Sequence, residues 1–248
     1  DEEGLIPDEV ITLYRRHKIR MVFVTPTYQN PTATVLTPER RRRLIEICGD
    51  LRIPIVEDDA HGDLTLDGSP QPPSPLAAMQ GSERLVIYLG TLSKTFAPGL
   101  RVGWMAGPAS VIDRIAGVRE QMDFGISGIT QAIAEQVLKS DLWEKNVKRL
   151  RSALTRRRDR MISGLVRSFG DELDYDVPRG GYHIWVKLPQ QFRDKEFGEM
   201  AIRHGVVIVP GSIYGADPGF VRLTYASSPE AEIEEGIRRL HDASRDAT

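Results

Sequence analysis

The stretch TLSKTFAPGLR (91–101) places an amine, hydroxyls and a guanidinium close together, in Lys94, Thr91, Ser93 and Arg101. A lysine becomes a nucleophile when burial or neighbouring cations lower its pKa, and its usual covalent task is a Schiff base with an aldehyde. Hydroxyls beside a cation suit a phosphate. Asp58 and His61 in IVEDDAHGD add a carboxylate and an imidazole, and Asn30 in YQNPT adds an amide. Arg222, inside the apolar run FVRLTYA (220–226), can hold a carboxylate through two parallel bonds. Taken singly, each residue has a plainer role. Lys94 is then a solvated loop lysine, Asn30 a turn residue before Pro31, and Asp58 a helix cap or surface ion pair. His61 is a loop histidine, and Arg101 and Arg222 join structural ion pairs. The elements that carry them decide between these readings.

Short apolar runs alternate with helical patterns through the first half. MVFVTP (21–26), IPIVEDD (53–59), LVIYLG (85–90) and VGWMAG (102–107) read as strands. A helix starts near Thr37-Pro38-Glu39, a cap residue followed by Pro at the first helical position. Strands that are apolar throughout, with crossover helices between some of them, predict an α/β fold with a mostly parallel sheet and helices on both faces. Pro108 to about Phe169 reads as helix, broken near Asp123–Gly128. Leu138, Leu142, Val147, Leu150, Leu154, Met161 and Leu165 are its expected buried stripe. YHIWVKLP (182–189), VVIVPG (206–211) and FVRLTYA read as strands and Pro229 to Ala243 as a closing helix, together a smaller α+β unit. The expected division is part of a large domain at 1–125, a connecting helical segment at 126–169 and a small C-terminal domain at 170–248.

Ligands of open α/β sheets sit outside the carboxyl ends of the strands. Three of the expected strands run into VTPTYQNPT, IVEDDAHGD and IYLGTLSKT. As neighbours, they gather Asn30, Asp58, His61, Thr91, Ser93 and Lys94 at one rim.

The 33 basic and 35 acidic residues leave a net charge of −2, so no global field draws nucleic acid or anionic lipid. The runs Arg40–Arg43 and Arg156–Arg158 lie in helical patterns and read as solvated helix faces. Cys48, the single cysteine, excludes an internal disulfide and fits a reducing cytoplasm. With Leu44, Ile45, Ile47 and Leu51 at helical spacing, it reads as a small buried hydrophobe. No run reaches the length of a membrane span, and no metal site is expected.

Pyridoxal 5′-phosphate asks a protein for the groups named above. Its phosphate takes hydroxyls and a cation, its ring nitrogen a carboxylate, its phenolic oxygen donors, and its aldehyde an amine. The motifs also resemble a known family. NPT (30–32), DDAH (58–61), TLSK with GLR (91–101) and VRLTYA (221–226), in that order, are similar to the signatures of the fold-type I, class I/II aminotransferases. PRGGYHIWVKLP (178–189) resembles the family's small-domain segment, and the likeness runs from about Leu5 to the end. It implies that Lys94 holds the cofactor as an internal aldimine and later shuttles the proton. It also implies that Asp58 pairs with the pyridinium nitrogen and Asn30 with the phenolic oxygen, to which the His61 imidazole can also donate. Thr91, Ser93 and Arg101 are implied to bind phosphate. Arg222, with Asn30, is implied to receive an amino acid or 2-oxo acid. Asp59 matches no ligand position and is assigned a structural role.

Two positions depart from the family. His61 stands where Tyr is usual, and Ala33 where a glycine commonly follows NPT. The family's chains are longer and are habitually homodimers. The part that would precede Asp1 supplies a phosphate-binding loop, a ring-stacking aromatic and part of the small domain, so a partial fold-type I fold is expected. YQNPTATVLTPERRRRLIEI and IYLGTLSKTFAPGLRVGW are at least as similar to the effector domain of MocR/GntR-type transcriptional regulators. The expected function is such a cytoplasmic effector or sensor domain, with DNA reached only through an N-terminal winged helix-turn-helix outside these residues. The alternatives are a free-standing class I/II aminotransferase and a truncated fragment with impaired cofactor binding.

Overall fold

The apolar runs of the first half form one four-stranded sheet, β1 (Val22–Val24), β2 (Ile55–Asp58), β3 (Val86–Thr91) and β4 (Gly103–Ala106), in that spatial order. The computed structural model describes residues 1–123 and 125–246. β1, β2 and β3 run parallel, with Val22 opposite Ile55 and Ile55 opposite Val86. β4 returns antiparallel, with Thr91 opposite Gly103. The mostly parallel α/β sheet expected from the sequence is therefore present. β4 reverses because a loop, and not a crossover helix, leads into it from β3.

The chain divides into two compact units. The first comprises Asp1–Gln29, Thr34–Thr65 and Pro70–Arg149. It holds the sheet with α1 (Pro7–His17), α2 (Pro38–Leu51), α3 (Ala109–Asp123), α4 (Gly128–Lys139) and the opening of α5 (Leu142–Phe169). Thr37 caps α2 as its sequence indicates, accepting the Arg40 amide on Oγ1 at 3.4 Å with Pro38 in the first turn. Leu44, Ile47 and Cys48 of α2 join Val22, Val24, Ile55 and Val86 in one core. Burial pushes the Cys48 thiol up to about 11, so it stays protonated and acts as an apolar filler.

The second unit comprises Asn30–Ala33, Leu66–Ser69 and Leu150–Thr248. Its antiparallel sheet has the order β5 (His183–Lys187), β7 (Phe220–Thr224), β6 (Val209–Pro210). It also holds α6 (Asp194–Arg203) and α7 (Glu230–Asp246). Gly164 of α5 lies so near Ile237 of α7 that an added Cβ would meet its side chain at 3.4 Å. The run VVIVPG is strand only at its end, and Val207 is 81% exposed. The expected helical stripe is also shorter than its periodicity suggests. Val147, Leu154, Met161 and Leu165 are buried, whereas Leu138 and Leu142 are half exposed at either side of the α4–α5 break.

The arginine run 40–43 is not a uniformly solvated face. Arg40, Arg42 and Arg43 pair with Asp1, Glu39 and Asp8, but Arg41 has no exposure at all. Its Nε donates to Leu36 O, its Nη1 to Ser74 O, and its Nη2 to Pro26 O and Thr27 Oγ1. Glu57, equally buried, lies 4.0 Å away and accepts the Leu76 and Ala77 amides on its two oxygens. The helical spacing of Arg41 to Leu44, Ile45 and Cys48 is the signal that it points inward. Two buried charges therefore tie α2, β2 and the segments after β1 and before β3. Arg41→Ala leaves Glu57 buried without its counter-charge and should lower the unfolding free energy by about 3–5 kcal/mol. Urea unfolding followed by circular dichroism checks this, and a loss below about 1 kcal/mol would show that the network is peripheral.

Candidate functional site

The parallel pairing of β2 with β3 brings their carboxyl ends to one edge. Asp58 closes β2 opposite Leu89, and the Asp59 amide extends the ladder by donating to Leu89 O at 3.0 Å. The Asp58 carboxylate is half-buried and its Oδ1 accepts the Ala60 amide at 3.1 Å, which turns the chain toward buried His61. On the neighbouring strand β3 ends at Thr91, and Ser93 and Lys94 follow at the same edge. Lys94 is exposed.

Backbone and hydroxyl bonds close the loop around Lys94. Thr91 Oγ1 donates to Val102 O at 3.1 Å and accepts the Ser93 amide at 3.0 Å. The Leu92 amide donates to Val102 O, and Leu92 O accepts the amides of Phe96 and Ala97. Thr91 is thus bound into the turn, whereas Arg101 is exposed, with Nη1 on Pro98 O at 3.2 Å. Gly103 makes the closure possible. A Cβ there would lie 2.8 Å from Gly90 O, so only glycine lets β4 approach β3 this closely.

The second unit holds the other two sequence-derived residues. Arg222 of β7 donates from Nη1 to Asn30 Oδ1 at 2.8 Å, across 192 positions of sequence. Its guanidinium lies 5.3 Å from the Tyr214 ring centroid, a cation–π arrangement. Arg222 Nε is buried with no partner among the described residues. Ala33, where the family commonly has glycine, adopts φ 59, the left-handed region that glycine favours.

The donor set of the first unit fits pyridoxal phosphate. The first unit offers a carboxylate at a strand end, an exposed amine, and a hydroxyl and guanidinium on one turn. The second offers an arginine with an unused buried donor, which suits a carboxylate held edge-on.

Three features escape the sequence motifs. Tyr214 beneath Arg222 carries no signal of its role. The Tyr88 hydroxyl donates to Asp59 Oδ2 at 2.9 Å, and a Cβ on Gly62 would lie 2.4 Å from that carboxylate. Asp59 thus holds the turn that follows Asp58. Burial raises its pKa above the usual carboxylate range, with the Tyr88 bond working against that shift. The third is a pair of α5 side chains, Trp143 and Asn146, on Thr95. The other aromatics pack: Tyr28 and Tyr225 are buried with hydroxyls on Thr65 and Gly181, and Trp104 lies over Gly90.

The sheet, its strand-end cluster and the lysine-bearing turn define a fold-type I pyridoxal-phosphate protein. The profile of the family Aminotransferase class I and II matches residues 3–240, and the chain belongs to that family. It is 35% identical over 99% of its length to the HTH-type transcriptional regulator YisV of Bacillus subtilis, covering 50% of that protein. Among solved structures it is similar to a kynurenine aminotransferase from Pyrococcus horikoshii in complex with PMP. There the identity is 31%, the TM-score 0.91, and the match covers 99% of this chain and 62% of that one. It is also similar to LysN, the α-aminoadipate aminotransferase of Thermus thermophilus complexed with N-(5′-phosphopyridoxyl)-L-leucine. The identity is 28%, the TM-score 0.90, and the match covers 100% of this chain and 64% of that one. The chain spans about half the length of the curated relatives it matches. Pyridoxal phosphate is the cofactor of the family.

Two outcomes follow from this geometry. Ala33→Gly removes a left-handed penalty of about 1–2 kcal/mol and adds less than that in chain entropy, so it should raise stability by up to about 1 kcal/mol. A thermal melt reads the effect, and a lower midpoint would refute it. Asp59 holds its proton more tightly folded than unfolded, so its contribution to stability falls as pH rises above about 4 through its folded pKa. Asp59→Asn keeps an acceptor for Tyr88 and should flatten the decline in unfolding free energy over that window. An unchanged slope in urea titrations at graded pH would show that Asp59 contributes nothing.

Proposed function

We propose that this chain binds pyridoxal 5′-phosphate through Lys94 as the effector domain of a MocR/GntR-type transcriptional regulator that senses an amino acid or a related amine. The strand-end cluster carries the cofactor half of this reading. It puts Asp58, Ser93, Lys94 and Arg101 on one edge of the sheet of a family member. The regulator half is supported by the higher identity to YisV than to either solved enzyme.

When bound, the cofactor supplies an aldehyde for capturing amines and a pyridinium ring that withdraws electrons. Lys94 Nζ would hold the cofactor covalently, and the same amine could accept and return a proton. Asp58 keeps a proton on the ring nitrogen by charge pairing. Ser93 and Arg101 hold the phosphate, and Thr91 shapes the turn that presents them. His61 and Asn30 donate to the phenolic oxygen. Asn30 can do so through Nδ2, since its Oδ1 is taken by Arg222. Arg222 takes the ligand carboxylate. In this reading residues 1–125 are part of the cofactor-binding domain, 126–169 connect, and 170–248 form the small domain. The working protein is a cytoplasmic homodimer that reaches DNA through a helix-turn-helix outside these residues. Among the described residues no helix is long and apolar enough to cross a membrane.

A second reading, a class I/II aminotransferase exchanging amino groups between an amino acid and a 2-oxo acid, is favoured by the likeness to two solved enzymes. One experiment separates the two. Protein loaded with the cofactor should show a visible absorbance that Lys94→Ala abolishes, and an intact band in that variant sinks the cofactor assignment. A panel of amino acids is then added and the released 2-oxo acid measured. Spectral change with no released 2-oxo acid supports sensing, whereas catalytic release establishes the enzyme. Arg222→Lys should weaken the response to amino acids at least tenfold, about 1.4 kcal/mol, by losing the bidentate grip.

A further inference from the structure

The residue that follows Lys94 is held from both of its polar ends by one helix. Thr95 is 2% exposed, although it sits in a loop whose neighbour Lys94 is open to solvent. The amide of Asn146 donates from Nδ2 to Thr95 O at 2.7 Å, and the indole of Trp143 donates from Nε1 to Thr95 Oγ1 at 3.3 Å. Both donors come from the first turns of α5, one turn apart on the same face. Arg149, a further turn on, donates from Nη2 to Asn146 Oδ1 at 3.0 Å. That bond takes the acceptor end of the Asn146 amide and leaves Nδ2 directed at Thr95. Leu92 O also accepts the Phe96 and Ala97 amides across the turn that contains Lys94.

We propose that Asn146 and Trp143 are positioning residues for Lys94, acting through Thr95. This rests on the reading of Lys94 as the cofactor's anchor. The carbonyl of Thr95 lies in the 95–96 peptide plane, whose N–H is the Phe96 amide on Leu92 O, and the Thr95 side chain leaves the adjoining Cα, so these bonds together fix the backbone on the carboxyl side of Lys94. Rotation of that backbone swings the Cα–Cβ bond of Lys94, and with it the arc that Nζ can reach. A lysine's long stem loses conformational freedom when it engages a ligand. Fixing its backbone beforehand lowers that cost. Neither donor touches the cofactor in this scheme.

Asn146→Ala, Asn146→Asp, Trp143→Phe, Thr95→Val and Thr95→Ser test the clamp in protein loaded with pyridoxal phosphate. Borohydride reduction followed by peptide mass spectrometry should still find the cofactor on Lys94 in every variant. Loss of one bond of this kind should raise the cofactor dissociation constant about 3- to 10-fold. The pH midpoint of the visible band should also move in Asn146→Ala, Asn146→Asp, Trp143→Phe and Thr95→Val. Thr95→Ser keeps the acceptor for Trp143 and should keep the wild-type midpoint, while Thr95→Val reproduces Trp143→Phe. Amide hydrogen exchange at Phe96 and Ala97 should quicken in Asn146→Ala. Faster exchange with an unchanged dissociation constant and midpoint overturns the proposal, because the clamp is then only structural. Unchanged exchange with intact folding overturns it as well. If the wild type traps no cofactor on Lys94, the proposed function falls, and faster exchange in Asn146→Ala still supports a clamp on the Lys94 loop.

Discussion

Parallel pairing of β2 with β3 is the constraint on which the first unit's chemistry depends. Two parallel strands necessarily end at the same edge, so residues just past their last ladder bonds become neighbours however far apart they lie in sequence. Asp58 and the turn from Thr91 to Arg101 share an edge for that reason. The reversal into β4 then fixes the shape of the turn. Leu92 and Thr91 both bond to Val102 O, and Gly103 lets the returning strand lie close enough for those bonds to form.

Buried charge secures the strand ends. Arg41 and Glu57 are fully buried, yet each satisfies its polar atoms through backbone groups of the segments on either side. A buried pair contributes little net stability over an apolar replacement, but it demands particular partners and so specifies one arrangement of loops. Tyr88 and Asp59 do the same on a smaller scale immediately beside Asp58. Burial opposes ionisation of Glu57 and of Asp59, and the amide and hydroxyl donors on their oxygens work against that shift.

The second unit prepares an arginine in a different way. Arg222 sits in an antiparallel strand whose alternate residues Val221 and Leu223 are buried, which sends its side chain to the opposite face. There it meets Asn30 and the face of Tyr214, and its Nε remains without a protein acceptor among the described residues. An orphaned buried donor is costly in a finished fold, and its presence is the local mark of a group that a carboxylate can satisfy.

Much of this was legible in the residues themselves. Apolar runs announced the strands, Thr37-Pro38 the start of α2, and the order of NPT, DDAH, TLSK and VRLTYA the family. Local pattern suffices there because propensity, capping and strand-end chemistry act over a few residues. It did not suffice where partners are distant. The inward turn of Arg41, the grip of Trp143 and Asn146 on Thr95, the Tyr88–Asp59 bond and the Tyr214 platform join residues far apart in the chain or on different elements. Leu138 and Leu142 kept the helical period and are nonetheless half exposed, because periodicity marks a face and cannot say what covers it. The sequence alone determined which residue types stand at the strand ends and to which family they belong. Only the tertiary structure decided which of them are held, and by what, because hydrogen-bond geometry and burial are properties of packed elements and not of sequence spacing.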